Sequence, residues 1–181
     1  ARVADVGCGF GYSCIGIADS YPNVHVDGYD LDEESVEAAR ENVAAAGLDD
    51  RVTIHRRDAA DPAIDGDYDL VTAFECVHDM SDPVGALATM RRLAGDDGVV
   101  IVMDERVQDD FTAEGTPVEQ LLYGFSILHC LPVGRVDHPS AATGTVMRPG
   151  TLRGYAEEAG FSTFEVLGIE NFFWRFYRLE A

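Results

Sequence analysis

Three glycines at alternate positions, Gly7, Gly9 and Gly11, follow directly on the apolar stretch Val3–Val6 and lead into a short helical segment, Ser13–Ser20. A glycine turn between a strand and a helix is a nucleotide cradle, because missing side chains let backbone N–H groups approach a ligand. Strand-like and helix-like segments keep alternating after it. Val24–Asp30 reads as a second strand, and Val36, Ala39 and Val43 fall at helical spacing before Gly47, a C-terminal stop. Arg51–Asp58 and Tyr68–Glu75 read as the third and fourth strands. Ser81 or Asp82 caps the next helix with Pro83 in its first turn, Gly95 ends it, and Gly98–Glu105 is a fifth strand. The chain closes on two further strands, "FSTFEVLGI" and "NFFWRFYRL", joined tightly enough to be antiparallel.

This rhythm predicts an α/β fold, Rossmann-like and doubly wound. Its seven-stranded sheet is mostly parallel, with helices on both faces and an antiparallel C-terminal strand. Ligands in such sheets sit at the carboxyl ends of the strands, beside the first one. Between the two regular regions, Val118, Leu122, Phe125 and His129 share one face of an expected helix, with His129 read as a core residue. Leu131–Gly150 reads as a long loop and Thr151–Ala159 as the last helix. Neither repeats nor a linker interrupt residues 1–181, which read as a single domain. Domains seldom open on a core strand, so an upstream segment is expected.

Two cofactor classes use a glycine turn followed some 20 residues on by an acidic residue, here Asp30, which can accept from both hydroxyls of an adenosine ribose. The dinucleotide fingerprint needs a third glycine where this chain has Tyr12. Asp5, two residues before Gly7, suits an ammonium or sulfonium better than a pyrophosphate. The spacing therefore favours a cationic adenosyl ligand.

Charge narrows the partners. Against 33 acidic residues stand 13 basic ones, all arginine, for a net charge of −20. So anionic a chain repels nucleic acid and anionic membranes alike. No apolar stretch approaches the roughly 20 residues that span a bilayer, and no signal peptide is seen, so the expected location is cytoplasmic. Cys8, Cys14, Cys76 and Cys130 form neither a CxxC pair nor a zinc-type spacing, and His25, His55 and His138 add none. Reduced thiols and no metal site are the expectation.

Four ordered segments carry a resemblance: "DVGCGFG" (Asp5–Gly11), "YDLDEESVEAAR" (Tyr29–Arg40), "RRDAAD" (Arg56–Asp61) and "YDLVTAFECVHDMSDP" (Tyr68–Pro83). In them the chain resembles the class I S-adenosylmethionine-dependent methyltransferases. The resemblance implies that Gly7 and Gly9 bring backbone close to the methionine part of S-adenosylmethionine, with Asp5 near its amino group and Gly11 also in the cofactor-binding turn. It implies Asp30 on the ribose, Leu31 on the adenine face, Asp58 and Ala59 at the adenine edge, and Phe74 and Glu75 beneath the sulfonium. S-adenosylhomocysteine is then the product. The later segment "YGFSILHCLPVGRVDHPSAATGTVMRPGTLRGYAEEAGF" looks like a subgroup acting on small molecules, which dimerises through an N-terminal helical or winged-helix segment; a homodimer through such a segment is implied here.

His78, just past the fourth strand, is the candidate general base for a hydroxyl or protonated-amine acceptor. Asp104 and Glu105 end the fifth strand at the cleft mouth, where a carboxylate pair could bind a cationic acceptor; surface pairing with Arg106 is the slightly favoured reading. No NPPY-type tetrad follows the fourth strand, which argues against adenine or glutamine-amide methylation. The acceptor is expected to be a small molecule, its O, N, S or C nucleophile unresolved. Two other readings compete: a cofactor-binding regulatory domain without catalysis, and an NAD-dependent oxidoreductase.

Overall fold

The computed structural model describes all 181 residues. Its order is β1 (Arg2–Val6), α1 (Tyr12–Ser20), β2 (His25–Asp30), α2 (Glu33–Ala46), β3 (Val52–Arg56), β4 (Leu70–Phe74), a 3₁₀ turn (Val77–Asp79), α3 (Pro83–Ala94) and β5 (Val99–Glu105). Then follow α4 (Pro117–Phe125), a π turn (Ser126–Cys130), α5 (Leu131–Gly134), α6 (Pro149–Glu158), β6 (Thr163–Val166) and β7 (Trp174–Glu180). The strands form one sheet in the order β3-β2-β1-β4-β5-β7-β6, parallel except where β7 runs antiparallel to β5 and β6. The expected mostly parallel, seven-stranded Rossmann-like architecture is the one observed.

The period of two along each strand divides the core. Val3, Val26, Val52 and Ile54 face one side, where Cys14 and Ala18 of α1 and Val36, Ala39 and Val43 of α2 cover them. Ala4, Val6, Val71, Ala73, Val100 and Val102 face the other side, against Leu87, Met90 and Leu93 of α3 and Leu152 and Ala156 of α6. Each fully buried leucine or methionine of that layer stabilises the fold by about 1.5–3 kcal/mol. Helix ends follow their residues. Asp32 accepts from Ser35 N at 2.8 Å and Asp82 from Gly85 N at 2.8 Å, and Gly47 closes α2 in the left-handed region.

Strand order reverses between β1 and β4, which opens a crevice at the carboxyl ends of β1, β2 and β4. Gly11 begins α1 there with φ +77, and a Cβ on it would lie 3.2 Å from the Ala39 Cβ of α2. Gly11→Ala therefore combines a left-handed alanine with a crowded helix contact. We expect it to lower unfolding stability by about 1–3 kcal/mol, read as a lower urea midpoint at unchanged slope. A midpoint equal to the parent's contradicts this account of the turn.

The segment after β5 departs from the sequence expectation. Its buried positions are Glu119, Leu122, Ser126, Cys130 and Gly134, while Phe125 and His129 are exposed. The π turn takes up an extra residue per turn, so the inward face advances by four residues per turn from Leu122 onward instead of by three and four. His129 is thereby a surface residue and not a core one. Leu131–Gly134 is also helical, so the irregular connection is shorter than Leu131–Gly150.

Candidate active site

The turn after β1 is held from below. Gly7 N and Cys8 N both donate to Tyr29 O, at 2.8 and 3.1 Å. Asp5 is 1% exposed; its Oδ1 accepts from Thr72 Oγ1 at 2.6 Å, and its Oδ2 accepts from Ser13 Oγ and, at 3.4 Å, from Cys14 Sγ. Burial pushes the Asp5 carboxyl above its ordinary range, against the hydrogen bonds from Ser13, Thr72 and Cys14. With every one of these donors internal, Asp5 ties β1 to α1 and β4. It is withdrawn from the crevice that the resemblance assigned it to.

Asp30 is the link between turn and ligand site. Its Oδ2 accepts from Gly9 N at 2.7 Å and its Oδ1 from Asp32 N at 3.0 Å. Each oxygen keeps a second lone pair for an incoming hydroxyl. Gly9 has φ +51, and a Cβ there would meet no atom within 4 Å, so its bare α-carbon borders open space. Asp58, at the end of β3, turns its Oδ1 to Ala60 N at 2.9 Å and also borders the crevice.

The crevice is a cavity of about 730 Å³. It is lined by Gly7, Asp30, Leu31, Asp58 and Ala59 at one end and by Cys76, Asp79 and Met80 near the end of β4. Gly9, Gly11, Asp5, Phe74 and Glu75 do not line it. Its wall carries eight carboxylates, on Asp30, Asp32, Glu33, Glu34, Asp58, Asp79, Asp82 and Asp137, against the two arginines Arg56 and Arg57. Both arginines are already paired, Arg56 with Glu33 at 3.0 Å and Arg57 with Asp61 at 3.2 Å. Such a wall attracts a cation and repels a pyrophosphate. An adenosyl sulfonium fits it: a diol-accepting carboxylate, an apolar side chain beside it, a glycine edge and a volume in the range of small-ligand pockets.

Behind the wall lies a buried ionic cluster. β4 and β5 pair with Phe74 opposite Met103, which brings Glu75 next to Asp104. His78 is 2% exposed, and its Nδ1 lies 3.0 and 3.1 Å from the two oxygens of Asp104, itself 0% exposed. Glu105 Oε2 is 3.4 Å from the same nitrogen, and Asp79 Oδ1 is 3.5 Å from Nε2. Burial disfavours the charge on His78, but Asp104, Glu105 and Asp79 outweigh it and push its pKa up to about 11. Burial, reinforced by Asp104, pushes the Glu75 and Glu105 carboxyls up. Glu75 sits at φ 57, a left-handed conformation for a side-chain-bearing residue at the strand end.

Three readings from the sequence change here. Asp104 and Glu105 are core residues paired with His78, while Arg106 reaches away to Asn171 O at 2.9 Å. His78 is sealed behind Asp79 and does not border the cavity itself. Asp79, Cys76 and Cys130 were not singled out as site residues, although "HD" directly after a strand is a signal for the first.

Comparison with known proteins agrees with this fold. A family model described as "Methyltransferase domain" matches residues 1–132. A ubiquinone biosynthesis O-methyltransferase of Aromatoleum aromaticum is 31% identical over 170 residues, covering 93% of this chain and 67% of that protein. Ajmaline N-methyltransferase of Rauvolfia serpentina is 32% identical over 109 residues, 60% of this chain and 37% of that protein. Among solved structures, the apo form of the S-adenosylmethionine-dependent methyltransferase SibL superposes with a TM-score of 0.79 at 21% identity, over 99% of this chain and 50% of that one. The O-methyltransferase NcsB1 of neocarzinostatin biosynthesis, in complex with S-adenosylmethionine and 2-hydroxy-5-methyl naphthoic acid, does so at 0.73 and 19%, over 99% and 48%. At that identity the likeness is one of fold, and the chain spans about half the length of these two solved structures. With the matched family model, the sheet order and the carboxylate-lined crevice beside the glycine turn, the chain belongs to the methyltransferase domain family, in its class I, S-adenosylmethionine-dependent form.

Proposed function

We propose that this chain is the cofactor-binding, catalytic part of an enzyme that methylates a small molecule on a hydroxyl group. The observation that carries the proposal is the cavity wall, where eight carboxylates face two already paired arginines. That wall suits a sulfonium cofactor and, with a net charge of −20, disfavours nucleic-acid acceptors. The O-methyltransferases among the relatives support a hydroxyl acceptor.

S-adenosylmethionine, when bound, supplies a methyl group on a good sulfonium leaving group. The protein's part is to hold both partners in line and keep water out. In this reading Asp30 accepts from the ribose hydroxyls, Leu31 packs on the adenine, and Asp58 and the Ala59 N–H meet its edge. Gly7 borders the methionine part, while Gly9 and Asp5 serve by fixing the turn. Phe74 and Glu75 stand outside the cavity lining. Asp79 reaches the cavity and meets the acceptor. His78, with Nε2 3.5 Å from Asp79 Oδ1, is a positioning residue behind it and not the direct base.

The test is transfer of a labelled methyl group by the full-length protein to a panel of hydroxylated aromatics, amines and thiols. Transfer to a hydroxyl is expected. Asp79→Asn is expected to lower kcat by roughly 10²–10⁴-fold, the usual weight of a proton-handling group, with S-adenosylhomocysteine affinity little changed. Normal S-adenosylhomocysteine binding with no transfer to any acceptor would leave a non-catalytic cofactor-binding domain as the answer.

A further inference from the structure

The two ring nitrogens of His78 face different company. Nδ1 is taken by Asp104. Nε2 faces Asp79 Oδ1 at 3.5 Å, too far for a good hydrogen bond, and that oxygen is buried without any partner. Cys130 joins them: the ligand atoms of His78, Asp79 and Cys130 all lie within 4.8 Å of one another. A tetrahedral zinc ion, with bonds of about 2.0–2.3 Å, separates its ligand atoms by roughly 3.3–3.6 Å. The 3.5 Å gap is therefore long for a hydrogen bond and right for two ligands of one ion.

We propose that His78 Nε2, Asp79 Oδ1 and Cys130 Sγ form a zinc site just behind the cavity wall to which Asp79 belongs. Imidazole, carboxylate and thiolate together are a zinc donor set, and three protein ligands leave room for an exchangeable one. The outer shell is present too. Asp104 on Nδ1 is the carboxylate that orients a metal-bound histidine, and it leaves Nε2 as the nitrogen whose proton zinc would displace.

The fold also builds the third ligand into place. Cys130 ends the π turn and points inward, 8% exposed, on a segment clamped to the His78 turn. Gly144 N donates to His78 O at 3.1 Å, and Gly134 comes so close to Asp79 that a Cβ on it would stand 3.1 Å from Asp79 O. Thr145, 1% exposed, lies against the Cys130 thiol.

Zinc binding stands apart from the transfer reaction.

The test uses the full chain, stripped with chelator and titrated with Zn²⁺ alone, followed by X-ray absorption on the zinc-loaded protein. One Zn²⁺ per chain is expected, with a single sulfur and otherwise nitrogen and oxygen in the first shell. Cys130→Ser is expected to lose the sulfur, and Cys8→Ala to keep it. No zinc binding by the parent chain overturns the proposal. So does a parent first shell of nitrogen and oxygen only, which would put the ion on the Asp104 and Glu105 side. Sulfur retained in Cys130→Ser overturns it as well. The parent shell decides the matter even if Cys130→Ser fails to fold.

Discussion

Asp30→Ala will raise the Kd for S-adenosylhomocysteine by about 10²–10⁴-fold in a calorimetric titration. The size follows from what the carboxylate can do at once. It offers a free lone pair on each oxygen to the two ribose hydroxyls, and hydrogen bonds to a charged group contribute about 1.5–3 kcal/mol each. It also fixes the cradle, since Gly9 N donates to Oδ2 at 2.7 Å and has no other acceptor in the turn. Alanine removes the ligand's partner and the turn's anchor together. Asp30→Asn separates the two, since its amide keeps one acceptor oxygen, and a loss nearer 10-fold is expected. Asp58→Ala, whose carboxylate is exposed and shared with Ala60 N, belongs at that lower level too. An Asp30→Ala protein that binds as tightly as the parent would show that the ribose lies elsewhere and that Asp30 is a turn residue only.

The glycine-turn end of the crevice was legible in the sequence because it is local. Gly7, Gly9, Asp30 and Asp58 each sit at the end of a strand whose period is plain, and strand order puts those ends side by side. The sheet was legible for the same reason, with Gly47 and Gly95 marking helix ends where they were expected. The other end was not. Asp104 and Glu105 followed by Arg106 look like a solvated charge run, and only the β4–β5 register shows that they meet His78 in the core. Cys130 was hidden by a backbone irregularity. A strict 3.6-residue period sends His129 inward, whereas the π turn sends Ser126 and Cys130 inward instead. Spacing rules for metal ligands look along the chain, and here two adjacent ligands meet a third delivered by that turn.

The second large effect is on stability. Asp104→Leu and His78→Leu are each expected to destabilise the chelator-treated chain by about 3–5 kcal/mol, the range found when one member of a buried ion pair is left alone. His78 would otherwise keep its charge 3% exposed with only Glu105 and Asp79 nearby, and Asp104 would keep its carboxylate at 0% exposure. The double substitution removes both charges. Its expected cost is well below the sum of the singles, with a coupling of about 3 kcal/mol, because apolar side chains can fill a buried ion-pair site at little loss. Equilibrium urea unfolding of the four proteins measures the cycle. Strict additivity would mean that His78 and Asp104 are buried independently, and the cluster would then be a set of separate polar residues instead of one paired unit behind the crevice wall.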